Sequence, residues 1–279
     1  MGLAGGCFAV LGVLWFAAFD LALVERADNK VLFAFYGLGG LYHRHRIHTT
    51  ANVFVALFDP AHLVVLAVVP VVVALARRRP YDACAALVLM AGACITTLAL
   101  KHLLPEPRAA SLLISPVPYP RFPSGHSTGA MALVLALALV APARVRPLIA
   151  GLGAVFAAAV GYSLLTLGSH FPSDVFAGFI VASAWAFLTS GALLALDGRL
   201  GTLPMPSRAV SLREALAPPI AALSAAAALA AIVILIDPQS VLSYVRAHTA
   251  LIVGAFGIAA LSTALSTTVV LSVRRDVPG

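Results

Sequence analysis

A series of long apolar runs is the feature of this sequence that most constrains its fold. Each run approaches the roughly 20 residues that an α-helix needs to cross a bilayer, and residues such as Pro and Arg punctuate the gaps. Backbone polar groups find no water in lipid, so the runs must form helices. The sequence therefore predicts an all-α, polytopic transmembrane bundle of about eight spans, at residues 4–24, 53–76, 82–101, 125–142, 147–168, 174–196, 215–236 and 248–272.

Composition supports this class and excludes others. Of the 279 residues, 61% are hydrophobic and only 10% are charged, which is too little charge for the surface of a soluble domain. The formal net charge is +7, and the charged residues lie mostly between the apolar runs. We therefore expect membrane lipids and not nucleic acid as partners. The three cysteines, Cys7, Cys84 and Cys94, also lie in apolar runs, and none belongs to a CxxC motif. The sequence therefore predicts neither a disulfide scaffold nor a thiolate metal site.

The ends of the spans predict an orientation. No basic segment precedes the first run, so we interpret it as a retained helix and not as a cleaved signal peptide. The short, Gly-rich stretch 31–42 predicts an interfacial or re-entrant segment. With eight spans, ten of the 18 Lys and Arg residues share the side of the termini, and three of the remaining eight lie among candidate site residues. The positive-inside rule then places the termini in the cytoplasm and the candidate site outside.

The stretch "RFPSGHST" (121–128) interrupts the apolar pattern at the start of a span. Ser124 is a good N-cap, and Gly125 allows an anion to approach the unpaired backbone N–H groups of a helix start. The partial positive charge of that helix end also favours an anion. This pattern predicts an anion cradle beside His126; the alternative is a plain N-cap next to an interfacial histidine.

Two further groups fall on the same face. In "KHLLPEPRAA", the prolines predict an extended loop that carries Lys101 and Arg108, two cations suited to phosphate oxygens or, alternatively, to a membrane border. In "SHFPSDVFAG", His170 and Asp174 are four residues apart at the start of a helix. A carboxylate there can accept one imidazole N–H and leave the other nitrogen free as a nucleophile, although a satisfied interfacial histidine fits the same spacing.

Together the three groups supply two cations, an anion cradle, an acid and an oriented nucleophile, which is the set that attack on phosphorus requires. The order K-x6-R, PSGH and H-x3-D over residues 101–181 resembles the type 2 phosphatidic acid phosphatase (PAP2) superfamily. The resemblance implies a six-helix catalytic core within residues 1–200 and leaves residues 201–279 as a two-helix C-terminal extension.

The resemblance also implies roles for single residues. His170 would attack phosphorus to form a phosphohistidine, Asp174 would orient it, and His126 would protonate the leaving oxygen. The phosphate oxygens would be held by two cations, Lys101 and Arg108, and by the helix start at Ser124 and Gly125. The resemblance implies no metal or other cofactor.

The sequence departs from the family pattern at two positions. Ala109 follows Arg108 where the family usually has Pro, and Leu164 follows Ser163 where the family has a phosphate-binding Arg. We hypothesise that Arg121, next to the PSGH stretch, replaces the missing cation; the alternatives are Arg44 and Arg46. The histidines of "LYHRHRIHTT" do not favour a metal site, because arginines alternate with them and no carboxylate is adjacent.

The sequence thus predicts a metal-independent membrane phosphatase acting on a lipid phosphate at the outer, or periplasmic, interface, in a bacterial plasma membrane. Polyprenyl phosphates and diphosphates, phosphatidic acid and phosphatidylglycerol phosphate all fit, and the oligomeric state is left open. The alternatives are a phosphotransferase with the same histidine intermediate and a catalytically weak binder of lipid phosphate. A transporter is disfavoured because the polar residues collect near one face.

Overall fold

The structure, a computed structural model, describes residues 2–37, 40–104, 122–200, 211–218 and 246–273, with isolated positions between 220 and 243. Only the backbone is described for residues 40–45, 197 and 200. The described part of the chain is helical and contains no strand. Besides a short helical segment at 212–218, its helices are α1 (Gly2–Asp20), α2 (Ala22–Tyr36), α3 (Gly40–Ala56), α4 (Pro60–Ala76), α5 (Pro80–Leu103), α6 (Gly125–Val140), α7 (Arg146–Thr166), α8 (Pro172–Leu200) and α9 (Thr249–Ser272).

Proline marks many of the helix starts. Pro60, Pro80 and Pro147 lie in the first turns of α4, α5 and α7, and Pro172 is the first residue of α8. The first turn tolerates proline because the N–H groups there have no partner within the helix. The prolines between the apolar runs therefore begin helices, as well as ending the preceding ones.

Five described helices are long and apolar enough to cross a membrane: α1, α5, α7, α8 over Pro172–Leu196, and α9. The bent pair α3–α4 gives a sixth if its two halves form one span. The predicted all-α transmembrane class is therefore confirmed. The count differs from eight because α6 has only 16 residues and because most of the predicted span 215–236 lies outside the described residues.

One predicted span differs from the structure. The run 53–76 is not one straight helix, because the chain leaves the helix at Leu57 and bends by 57° before Pro60 begins α4. Asp59 is extended there, as expected for a residue before proline. In the stretch 31–42, α2 runs to Tyr36 and α3 begins at Gly40; its interfacial or re-entrant placement stays a prediction.

Helix α6 forms the centre of the bundle. Nearly all of its residues are buried, and it packs against α4, α5, α7 and α8. Its many alanines allow neighbouring helices to approach closely, which is how helices associate in lipid. Because α6 is short, its C-terminal carbonyls need partners within the protein. Arg146 donates to the carbonyls of Ala138 at 2.9 Å and Ala141 at 3.2 Å, and Arg77 donates to that of Val140.

The last described helix packs directly on the bundle. Helix α9 lies against α7 and α8, Ile258 is fully buried in the main core, and the Tyr162 hydroxyl donates to the Ala255 carbonyl at 2.7 Å. The division of the chain into a 1–200 core and a 201–279 extension stays a prediction. The packing of α9 means that part of the segment 201–279 contributes to the same apolar core as the catalytic candidates.

Candidate active site

The start of α6 is capped and open to one side. The Ser124 side chain accepts from the Ser127 N–H at 3.4 Å, and the Ser124 N–H donates to the Asp174 carbonyl at 3.0 Å. A Cβ atom at Gly125 would meet nothing within 4 Å. The first turn of α6 thus combines a fixed backbone with free space beside the N–H groups of the helix start, as an anion cradle requires.

The second candidate group lies where α7 gives way to α8. Gly168 has a φ of +69°, which turns the chain after α7. Two residues later His170 brings its Nδ1 within 3.3 Å of Asp174 Oδ2. The same Asp174 oxygen accepts the Phe171 N–H at 2.9 Å, and the Asp174 side chain is 1% exposed. The pairing that the spacing predicted is therefore present, and it fixes the imidazole by one ring nitrogen.

Helices α6 and α8 touch at the site through Gly178, which sequence reasoning missed. The Ser127 hydroxyl lies 3.1 Å from the Ser124 carbonyl and 3.3 Å from the Val175 carbonyl. A Cβ atom at Gly178 would overlap this hydroxyl and lie 2.8 Å from the Ser124 carbonyl oxygen. The glycine therefore sets how closely the start of α6 approaches α8. Its position one turn after Asp174, on the same helix face, was the available signal.

A second residue missed by sequence reasoning is Asp28 on α2. Its Oδ1 accepts the Ser173 N–H at 3.3 Å, although the two residues are 145 positions apart, and its side chain is buried. Asp28 thus caps the start of α8, which carries Asp174. An acidic residue is favourable at a helix N-terminus, but nothing in its local sequence indicates which helix it caps.

His126 faces the same space as His170. Its Nε2 lies 3.4 Å from Asp59 Oδ1, and it interacts electrostatically with His170 and with Lys101 from the last turn of α5. Asp59 lies in the break between α3 and α4. The structure therefore brings together the predicted residues His126, Lys101 and His170, and adds a carboxylate that no motif assigned.

These residues form one end of a cavity of about 640 Å³ between α4, α5 and α6, a volume typical of ligand sites. The polar end holds Lys101, Gly125, His126 and His170. Apart from Thr97, the remaining lining is apolar, and it includes Leu63, Ala67, Val71, Leu87, Met90 and Leu98. Leu87 and Lys101 are separated by about 20 Å along α5 at about 1.5 Å per residue. The site is thus a long apolar groove with a cationic, histidine-bearing mouth.

Some predicted residues cannot be placed. Arg108 and Arg121 lie outside the described residues, as do the side chains of His43, Arg44 and His45. Leu164, which stands where the family pattern has Arg, is fully buried in the main core. Among the residues that the structure describes, no group of three His, Cys, Asp or Glu side chains could hold a metal ion.

Comparisons with known proteins agree with this architecture. The model of the PAP2 superfamily matches residues 82–195. The fold is similar to the crystal structure of a transmembrane PAP2-type phosphatidylglycerolphosphate phosphatase from Bacillus subtilis, with a TM-score of 0.59 and 21% identity, over 72% of this chain and 98% of that chain. A comparison with curated protein sequences gives no significant match. The matched region contains Lys101, the PSGH stretch, His170 and Asp174, so the chain carries a region that matches the PAP2 superfamily, as the motif resemblance predicted.

Proposed function

We propose that this protein is an integral membrane phosphatase that hydrolyses the phosphate of a lipid through a phosphohistidine on His170. The observation that carries the proposal is the apolar groove that ends at Lys101, His126 and His170. A lipid can place its tail along α4 and α5 while its phosphate reaches the start of α6. A soluble phosphate ester has no apolar tail to bury against this lining, so the groove would add nothing to its binding energy.

The first chemical step uses the pairing of His170 with Asp174. With its Nδ1–H held by the carboxylate, the imidazole keeps a lone pair on Nε2 for attack on phosphorus. The P–O bond to the lipid breaks with its electron pair on the leaving oxygen, and His126 supplies the proton. The product is the dephosphorylated lipid, and phosphate is left bound to His170 through a P–N bond.

The second step returns the enzyme to its starting state. His126, now neutral, takes a proton from a water molecule as that water attacks the phosphohistidine. The P–N bond breaks and its electrons return to His170 Nε2. The phosphate oxygens would be held in both steps by Lys101, by the N–H group at Gly125 in the turn that Ser124 caps, and by the cations Arg108 and Arg121, because the negative charge needs fixed partners.

The groove supports a substrate that joins an apolar tail to a phosphate, independently of the neighbour's name. Polyprenyl phosphates, phosphatidic acid and phosphatidylglycerol phosphate all join an apolar tail to a phosphate, and the structural neighbour is named for the last of these. We propose that the site faces the outside, or the periplasm, of a bacterial plasma membrane, because the Lys and Arg residues remote from the site are more numerous on the opposite side.

The test is phosphate release by purified full-length protein in detergent, with EDTA and no added metal, from a panel of these lipids. We expect release by the wild type and its loss in His170→Ala. His62→Ala is the matched control, because His62 is exposed on α4 with its Nδ1 2.7 Å from the Ala56 carbonyl oxygen, outside the groove lining. Tight binding of lipid phosphate without release would contradict the proposal and favour a binder that lacks the Arg at position 164.

A further inference from the structure

His126 is paired with a carboxylate from a distant part of the sequence. Asp59 Oδ1 lies 3.4 Å from His126 Nε2, and the two residues are 67 positions apart. Asp59 is held in the break between α3 and α4, where the backbone is extended and the helices bend by 57°. Its side chain does not cap α4 through a hydrogen bond. The carboxylate is therefore directed at the histidine without serving the helix that follows it.

The charges around His126 give this contact a chemical consequence. Lys101 from α5 and His170 from the loop before α8 line the same end of the cavity as His126. Positive charge on either disfavours a proton on His126, as does its partial burial. The Asp59 carboxylate, 3.4 Å from Nε2, acts in the opposite direction through its negative charge and its hydrogen bond. The other carboxylate of the site, Asp174, is hydrogen-bonded to His170 and to the Phe171 N–H. Asp59 is therefore the carboxylate that acts on His126.

The two candidate substrate classes differ in how much they need that proton. An alcohol is about as weak an acid as water, whose pKa is about 15.7, so an alkoxide is a poor leaving group unless it is protonated. A phosphate monoester, which is the group that leaves from a lipid diphosphate, loses its second proton at about pH 6. A phosphate that leaves from a diphosphate therefore departs as an anion without help, and it would depart next to the Asp59 carboxylate.

We propose that Asp59 is a positioning residue that favours the protonated form of His126 over the neutral one, and that this pair adapts the site to lipid phosphate monoesters in preference to lipid diphosphates. This inference rests on the proposed function, since it takes His126 as the acid for the leaving group. An imidazolium has two N–H groups. With one of them on Asp59, the other is available to the leaving oxygen.

The His170 lone pair forms the P–N bond, the P–O ester bond breaks, and its electron pair remains on the alcohol oxygen. The proton moves from His126 to that oxygen, so a neutral alcohol leaves and a neutral His126 stays bonded to Asp59. With a diphosphate the leaving phosphate needs no proton, so the Asp59 carboxylate contributes only repulsion there.

The experiment compares two substrates with one tail. Full-length wild type and Asp59→Asn are assayed on a polyprenyl monophosphate and on the diphosphate of the same alcohol, with initial rates taken from the lipid products. In the wild type we expect the higher kcat/KM for the monophosphate. In Asp59→Asn we expect kcat on the monophosphate to fall about 10- to 100-fold, which is less than the full contribution of a general acid, about 10²–10⁴-fold, because His126 itself is kept. The diphosphate rate should change by less than about threefold, because its leaving group needs no acid.

Two variants and a pH profile separate positioning from folding. A misfolded fraction lowers both rates by one factor, so the ratio of the two rates reports only on the chemistry. Asp59→Glu should restore part of the monophosphate rate. Asp20→Asn is the matched control, because Asp20 is an exposed carboxylate at the end of α1. Its neighbour Phe19 packs with its ring centroid 5.7 Å from that of Phe122, just before the α6 start, so Asp20 lies on the same side of the bundle as the site. The alkaline limb of the monophosphate pH–rate profile should move to lower pH in Asp59→Asn.

An equal loss on both substrates in Asp59→Asn, or a wild type that prefers the diphosphate, would overturn the inference and leave the phosphatase intact. Failure of the proposed function looks different. In that case the wild type releases no phosphate from either lipid, or His170→Ala retains its activity, and the inference falls with it.

Discussion

The two histidines of the site each have a carboxylate partner at nearly the same distance, but the pairs are built differently. His170 and Asp174 are four residues apart, their nitrogen and oxygen are 3.3 Å apart, and their side chains are 10% and 1% exposed. His126 and Asp59 are 67 residues apart at 3.4 Å, with side chains that are 30% and 54% exposed. One pair belongs to a single turn of the chain, and the other joins the first turn of α6 to the break between α3 and α4 at the mouth of the groove.

This difference predicts different consequences when each pair is broken. In a buried pair, the partner that remains is left charged or misoriented without water to replace the lost contact. At an exposed pair, water and salt weaken the interaction, and the net energy is small. The buried pair is therefore suited to fixing a nucleophile, and the exposed pair to adjusting an acid that must exchange its proton in each turnover.

The largest effect is expected at the buried pair. Asp174→Asn keeps the size of the side chain but presents an amide to His170, which favours the wrong tautomer; in a comparable triad this lowers kcat by about 10⁴-fold. Phosphate release and circular dichroism would measure activity and folding. A loss no larger than that of Asp59→Asn would remove the distinction between the two pairs.

The second largest loss of activity is expected at the cation that would replace the family's Arg, since Leu164 occupies that position. If Arg121 replaces it, Arg121→Ala should lower kcat by about 10²–10³-fold, the usual loss for one stabilising group in a transition state. Arg199→Ala, near the other end of α8, serves as the control and should leave the rate unchanged. Unchanged turnover in Arg121→Ala would refute the substitution and direct attention to Arg46, whose side chain is exposed on α3.

A smaller effect should follow from moving the two pairs apart. Gly178→Ala inserts a methyl group between α8 and the Ser124–Ser127 turn of α6, and overpacking of this kind costs about 1–3 kcal/mol. We expect a lower Tm and about a tenfold lower kcat. Gly198→Ala is the matched control, because a Cβ there meets nothing within 4 Å and alanine favours helix. Equal effects of both substitutions would show that the contact at Gly178 does not position the site.

The smallest effect is expected from the remote cap. Asp28→Ala removes the acceptor of the Ser173 N–H, and loss of a cap costs about 0.5–2 kcal/mol. Thermal unfolding in detergent should register this cost. We expect kcat to fall less than about tenfold, because Asp174, itself held by the Phe171 N–H, still fixes His170. A loss as large as that of Asp174→Asn would mean that α2 controls the nucleophile directly.

Local patterns in the sequence predict local contacts well. The four-residue spacing of His170 and Asp174 predicts their pairing, and Ser124 before Gly125 predicts the cap of α6, because both contacts form within one turn of helix. The apolar runs predict the helical class for the same reason. The family pattern adds that Lys101, His126 and His170 meet, which their separation in sequence does not reveal.

Contacts between distant segments were not predictable. Asp59 meets His126 only because α3 and α4 bend at Leu57–Asp59, and the apolar run 53–76 gives no sign of the angle. Asp28 caps α8 only because α2 lies against the bundle. Gly178 is needed only because α6 and α8 approach so closely at Ser127. Each depends on how helices pack, and a polar residue in one helix does not specify its partner in another.

A covalent phosphate on His170 can be tested for directly by trapping that intermediate. His126→Ala should form the phosphoenzyme from nitrophenyl phosphate, whose leaving group needs no acid, but should hydrolyse it slowly because the base for water is missing. After rapid denaturation in alkali, where phosphohistidine survives, mass spectrometry of the peptides should find phosphate on His170 and none in the His126→Ala, His170→Ala double variant. Phosphate on another residue, or an equally phosphorylated double variant, would contradict the account.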